Sequence, residues 1–311
     1  MVAEFLRVSA RPFSITPQRA VEIFVVYMIT QLACGVVGGG ALGVIGAVID
    51  QPTLINDHLP ALLVAGNTLA FLYLYFRETK RASLSWGDLS WRLRDAVHLA
   101  GPVFVLAAAG VLVVSELTNL ATLGVPNSGE SILRQVMDLE NYPILSPLLI
   151  VIVAPITEEI LFRGLMLRGL LAVTTPKRAI ALTTVLFMIV HLNPWQFPVA
   201  AVMGVLTGWV YLRSRSLLLC VGIHTVQNAT ALFASALPFT IQGFNQIGPN
   251  AGGFHPWWLD FAALGLLAFG AFWFHRTAPA AAPFVAAAPP PSPSEPPLLA
   301  PPPLTDPGAG I

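Results

Sequence analysis

The stretch Leu148-Leu-Ile-Val-Ile-Val-Ala-Pro-Ile-Thr-Glu158-Glu-Ile-Leu-Phe-Arg163-Gly-Leu-Met-Leu167 decides the fold. It lies inside an apolar run over 144–170, and about 20 such residues suffice to cross a bilayer. Yet it holds Glu158, Glu159 and Arg163. A charged group at that depth costs about 3 kcal/mol on insertion scales. Such groups persist where they pair, line a wet cavity or carry out chemistry. Helical spacing sorts the three. Arg163 follows Glu159 by four residues, so the two meet on one helix face. Glu158 is turned from Glu159 by about 100° and points elsewhere. Pro155, just ahead of them, is placed to kink the helix.

Similar apolar runs recur on both sides, near 20–48, 59–76, 97–116, 178–192, 196–212, 216–236 and 257–275. Only 10% of the 311 residues are charged and 55% are hydrophobic, against about 25% charged in soluble domains. So few charges cannot cover a soluble surface. The expected fold is an all-α integral membrane bundle of about eight transmembrane helices around a polar intramembrane cavity. The first run is rich in glycine (Gly35, Gly38 to Gly40, Gly43, Gly46), which suits close helix packing in lipid. Residues 81–95, with Trp86 and Trp91 among Arg and Asp, read as an interfacial amphipathic stretch, and so do 129–141.

Net charge is zero, so no basic field points to nucleic acid. The placement of the cations is more informative. With eight spans alternating from an inner N-terminus, Arg7, Arg11, Arg19, Arg77, Lys80, Arg81, Arg92, Arg94, Arg168, Lys177, Arg178, Arg213, Arg215 and Arg276 fall inside. Outside falls only Arg134. This is the positive-inside pattern of a cytoplasmic membrane protein with both termini in the cytoplasm. The first run is too long for a signal-peptide core, so it is expected to be retained. The chain then divides into an N-terminal cytoplasmic segment (1–19), N-terminal spans (20–143), a charged-residue core (144–236), an outer loop with the last span (237–276) and a Pro/Ala-rich tail (277–311). Proline at the density of Pro289 to Pro303 predicts a disordered or polyproline tail. Cys34 and Cys220 sit in apolar runs and read as buried thiols.

Two further spans carry histidine. The fifth reads Phe187-Met-Ile-Val-His191, and the seventh reads His224-Thr-Val-Gln-Asn228. His224 and Asn228 are one helical turn apart and can face one cavity. His58, His98, His255 and His275 fall at loops or span ends and read as interface residues. Alone, a transmembrane histidine or asparagine is commonly interhelical glue. Here three spans present acid, base and amide groups in otherwise apolar sequence, which reads as a site.

At these residues the chain resembles the CPBP family of intramembrane peptidases, which includes type II CAAX prenyl endopeptidases and bacteriocin-processing or immunity proteins. The family's EExxxR is met by Glu158, Glu159 and Arg163, its FxxxH by Phe187 and His191, and its HxxxN by His224 and Asn228. The connecting Gly164, Phe197, Gly204, Gly208, Tyr211, Arg213 and Ser216 also look like the family. The resemblance covers about 150–230. It implies an endopeptidase acting on a membrane-anchored peptide or protein, of CAAX or bacteriocin type. Glu158 and His191 would activate water, His224 and Asn228 would hold the oxyanion, and Glu159 with Arg163 would support them. A second scheme makes Glu158, His191 and His224 ligands of one zinc ion; the metal-free scheme is the preferred expectation. The rival functions are a non-proteolytic scaffold or immunity protein of the same fold, and a proton-coupled transporter. No internal repeat supports the transporter.

Overall fold

The computed structural model describes residues 13–82, 96–121, 123, 137–245 and 253–278. Expectations for residues 1–12, 83–95 and 129–136 and for the tail beyond 278 lie outside the described residues, as do Arg7, Arg11, Arg92, Arg94 and Arg134. Eight long helices account for most of the rest: α1 (Pro17–Val48), α2 (Leu59–Ala82), α3 (Val97–Ala121), α4 (Leu145–Leu170), α5 (Pro176–Val190), α6 (Phe197–Ser214), α7 (Leu217–Phe233) and α8 (Trp257–Thr277). No strand occurs among the described residues. The protein is a membrane-type helical bundle.

The eight helices coincide with the eight predicted runs, but only α1, α2, α3, α4, α6 and α8 have the length and apolarity to cross a membrane. The two that carry the histidines are shorter, at 15 residues for α5 and 17 for α7. At 1.5 Å per residue they reach about 22 and 26 Å, short of a hydrocarbon core of about 30 Å. Local chain reversals set these limits. Leu192, with φ of 50°, turns the chain just past α5, and Arg215, with φ of 56°, breaks it between α6 and α7. The eight-span expectation is therefore met by six full-length helices and two short ones.

Contacts at the helix ends group the loops. The carboxylate of Glu78 at the end of α2 accepts from Arg19 Nη2 at 2.6 Å. Ile15 N–H bonds the Gly169 carbonyl at 3.0 Å. Arg213 reaches the carbonyls of His275 and Ala278. The start of α1 thus meets the ends of α2 and α4. Elsewhere, Tyr142 Oη bonds the Asp57 carbonyl at 2.9 Å, and Asn119 Nδ2 bonds that of Gly243 at 2.8 Å.

Helix α4 lies at the centre and packs on α5, α6 and α7. Two of its segments, Leu148–Val153 and Ile160–Leu167, are wound as π-helix, with Ala154–Glu159 α-helical between them. All eight residues of the second segment are buried. Gly204 and Gly208 on α6 bring that helix against α5. A Cβ at Gly204 would stand 2.7 Å from Thr184 Cγ2, so the pair acts as a small-residue contact. The glycines of α1 behave differently from expectation. A Cβ at Gly38 would clash with Leu62 and one at Gly46 with the Gln51 carbonyl, but one at Gly35 or Gly40 would meet no neighbouring element within 4 Å. Gly35 and Gly39 instead line a cavity. Cys220 is buried, as read; Cys34 is only partly so.

Candidate active site

The cavity, about 1400 Å³, is lined by residues of α1 to α7. Its polar wall includes Glu158, His191, His224 and Asn228, which come from three separate helices or their ends. Glu159 and Arg163 are not on that wall. They lie behind it, with Glu159 fully buried and Arg163 1% exposed. Arg163 Nη1 donates to Glu159 Oε1 at 3.0 Å. Its guanidinium also sits 4.6 Å from the centre of the Phe187 ring, a desolvated cation–π contact. The 100° turn between the adjacent glutamates thus separates a cavity carboxylate from a buried, paired one.

The same Glu159 oxygen lies 3.0 Å from His224 Nδ1. Because Oε1 already accepts from Arg163, it acts as an acceptor here too, which puts the proton of His224 on Nδ1. Nε2 is then turned toward Glu158, 3.9 Å from Oε2. An orienting carboxylate behind a histidine fixes its tautomer and ring plane. Sequence spacing paired Glu159 with Arg163 but carried no sign of this third partner.

His191 stands just past the last residue of α5, not within the span as read from sequence. At a helix end the last carbonyls lack backbone partners. His191 Nδ1 lies 2.8 Å from the Phe187 carbonyl, and since a carbonyl only accepts, Nδ1 carries the proton. A neutral His191 therefore keeps a lone pair on Nε2. The four-residue spacing of Phe187 and His191 is what makes this cap possible.

Asn228 has a second engagement. Its Nδ2 donates to the Ile150 carbonyl at 2.8 Å, and Thr225 Oγ1 donates to that of Val151 at 3.1 Å. The Ile150 carbonyl is left open by the winding of α4. Ala154 N–H bonds Leu149, so the next N–H in register for Ile150 belongs to residue 155, which is proline and has none. Pro155 thus does more than kink the helix: it frees an acceptor that locks α7 onto α4. One N–H of Asn228 is spent on this contact and one remains.

A second polar group on the cavity wall had no signature in the sequence. Tyr27 Oη and Gln31 Nε2 on α1 both donate to Asn67 Oδ1 on α2, and Asn67 Nδ2 donates to Thr157 Oγ1 at 3.2 Å. Near the rim, His255 was read as an interface residue but its side chain is fully buried. Its Nδ1 lies 3.0 Å from Asp260 Oδ1 and 3.7 Å from Glu116 Oε2, with Nε2 3.2 Å from Ser115 Oγ. The Glu116, His255 and Asp260 ligand atoms lie within 4.8 Å of one another. Both ring nitrogens already have protein partners, so the cluster clamps α8 to α3. Glu158, His191 and His224 do not form such a convergent trio among the described residues.

Residues 140–230 match the family model of type II CAAX prenyl endopeptidase Rce1-like proteins. That segment is similar to the Rce1-like proteins. The match spans α4 to α7 and agrees with the resemblance read from the three motifs. No curated protein and no solved structure matches the chain. The Rce1-like proteins are a protease family, and the Rce1-like segment carries every residue of the three motifs. Helices α1, α2, α3 and α8 lie outside it, although α1 and α2 supply one wall of the cavity.

Proposed function

We propose that this protein is an intramembrane endopeptidase that hydrolyses a peptide bond in a membrane-associated peptide or protein, of CAAX or bacteriocin type. The observation that carries the reading is the convergence of Glu158, His191, His224 and Asn228 on one cavity within the Rce1-like segment. Glu158 and the free Nε2 of His191 hold the attacking water. As its oxygen bonds to the scissile carbonyl carbon, its proton passes to Glu158. The oxyanion takes a hydrogen bond from the remaining N–H of Asn228. His224 joins in when Nε2 carries a second proton, since its Nδ1–H is committed to Glu159. The C–N bond then breaks and Glu158 returns the proton to the leaving amine. Comparative proteomics of cells carrying wild type or Glu158→Gln tests the function. A membrane-anchored polypeptide should accumulate uncut in the variant; identical profiles would argue against a peptidase.

The metal-free scheme makes its own prediction. Cleavage should survive exhaustive chelation, and elemental analysis of the purified protein should find no bound metal. About one zinc per chain, with activity lost to a chelator and restored by the ion, would overturn it.

The charge pattern further orients the protein with both termini cytoplasmic and the loops at 50–58, 117–143 and 237–256 outside. Single cysteines at Asn127 and Asn250 should react with an impermeant maleimide in intact cells. Reaction only after permeabilisation would reverse this topology.

A further inference from the structure

The cavity wall carries five carboxamides besides Asn228, and they are not equivalent. Asn119 donates to Glu116 and to the Gly243 carbonyl, and Gln196 is only half-buried. Gln31 Nε2 bonds Tyr27 Oη at 3.0 Å and Asn67 Oδ1 at 2.9 Å. Asn67 uses both ends of its amide, toward Tyr27 and Gln31 and toward Thr157. These two are interhelical glue. Gln227 is not. It is only 5% exposed, follows His224 by three residues on α7 and shares the cavity with it. It makes no hydrogen bond to any described residue. Its amide is open to the cavity and holds no helix to another, so both ends are available to a bound molecule.

We propose that Gln227 binds the main chain of the peptide substrate beside the scissile bond. The inference rests on the peptidase reading of the same cavity. A primary carboxamide offers an acceptor oxygen and two N–H donors, which match the C=O and N–H of a peptide unit. It carries no charge, so it suits neither a phosphate, which calls for Arg, nor an apolar chain. Its neighbours His224 and Asn228 place it one helical turn or less from the reacting groups. Recognition of backbone fixes the register of an extended substrate without selecting its side chains.

The test uses the full chain in detergent and Gln227→Met, which keeps volume and removes the amide. The probe is a farnesylated peptide ending in a CAAX sequence, with its affinity measured in a Glu158→Gln background and its cleavage measured in the wild-type background. Melting temperature should hold or rise, because no intramolecular bond is lost. Affinity should fall by about two- to tenfold, the size of one hydrogen bond, and KM should rise with it while kcat stays within about twofold. Gln31→Met, which removes a partnered amide, should instead lower the melting temperature. A melting temperature that falls for Gln227→Met as it does for Gln31→Met would make Gln227 structural and overturn the inference. So would unchanged affinity and KM in an enzyme that still cuts the peptide, which leaves the peptidase reading standing. A wild type that binds the peptide without cutting it removes the peptidase reading, and the affinity arm then decides for or against Gln227 alone. A wild type that does not bind the peptide overturns both.

Discussion

Glu158→Gln should leave the bundle folded and reduce peptide hydrolysis by about 10²–10⁴-fold, the usual cost of a missing general base. Gln keeps the volume and removes the basicity. The packing consequence is small because Glu158 lines the cavity and its Oε2 has no hydrogen-bond partner in the protein. No helix–helix hydrogen bond is broken, since Glu158 stands 3.9 Å from its nearest charged neighbour, His224 Nε2. The measurement is melting temperature in detergent beside cleavage of any substrate that the variant causes to accumulate. His224→Ala and Asn228→Ala should also be folded and slow. Asn228→Ala should in addition lose about 1 kcal/mol of stability, because its bond to the Ile150 carbonyl holds α7 on α4.

Glu159→Gln should behave in the opposite way, losing stability and expression as well as activity. Glu159 Oε1 serves Arg163 Nη1 and His224 Nδ1, each at 3.0 Å, in a fully buried position. Removing the carboxylate charge strands the guanidinium, and breaking a buried pair costs about 3–5 kcal/mol. Arg163→Gln should look similar. The double variant Glu159→Gln/Arg163→Gln should recover part of the lost stability, since no buried charge is then left unpaired. It should not recover activity, because His224 has lost the carboxylate that fixes its tautomer. Thermal unfolding of the three variants decides this. A stable but inactive Glu159→Gln beside an active Glu158→Gln would show the two roles reversed.

Sequence by itself determined whatever depends on composition and on spacing within one helix. The apolar runs dictated a helical membrane bundle, because only helices and closed barrels pair every backbone group in a bilayer, and continuous apolar runs of about 20 residues fit the helix. The four-residue steps from Glu159 to Arg163, Phe187 to His191 and His224 to Asn228 each became a shared face, a cap or a common wall. Tertiary structure alone decided what crosses between helices. Glu159 meets His224 from 65 residues away, Asn228 meets Ile150 from 78, and His255 meets Glu116 from 139. The π winding beside Pro155, which frees the Ile150 carbonyl, has no one-dimensional signature, because it depends on α7 being present to use it. The α1–α2 wall with Tyr27, Gln31 and Asn67 was invisible for the same reason. A polar residue in an apolar run announces that it needs a partner, but only the packing of the helices says which partner it finds, or that, like Gln227, it finds none.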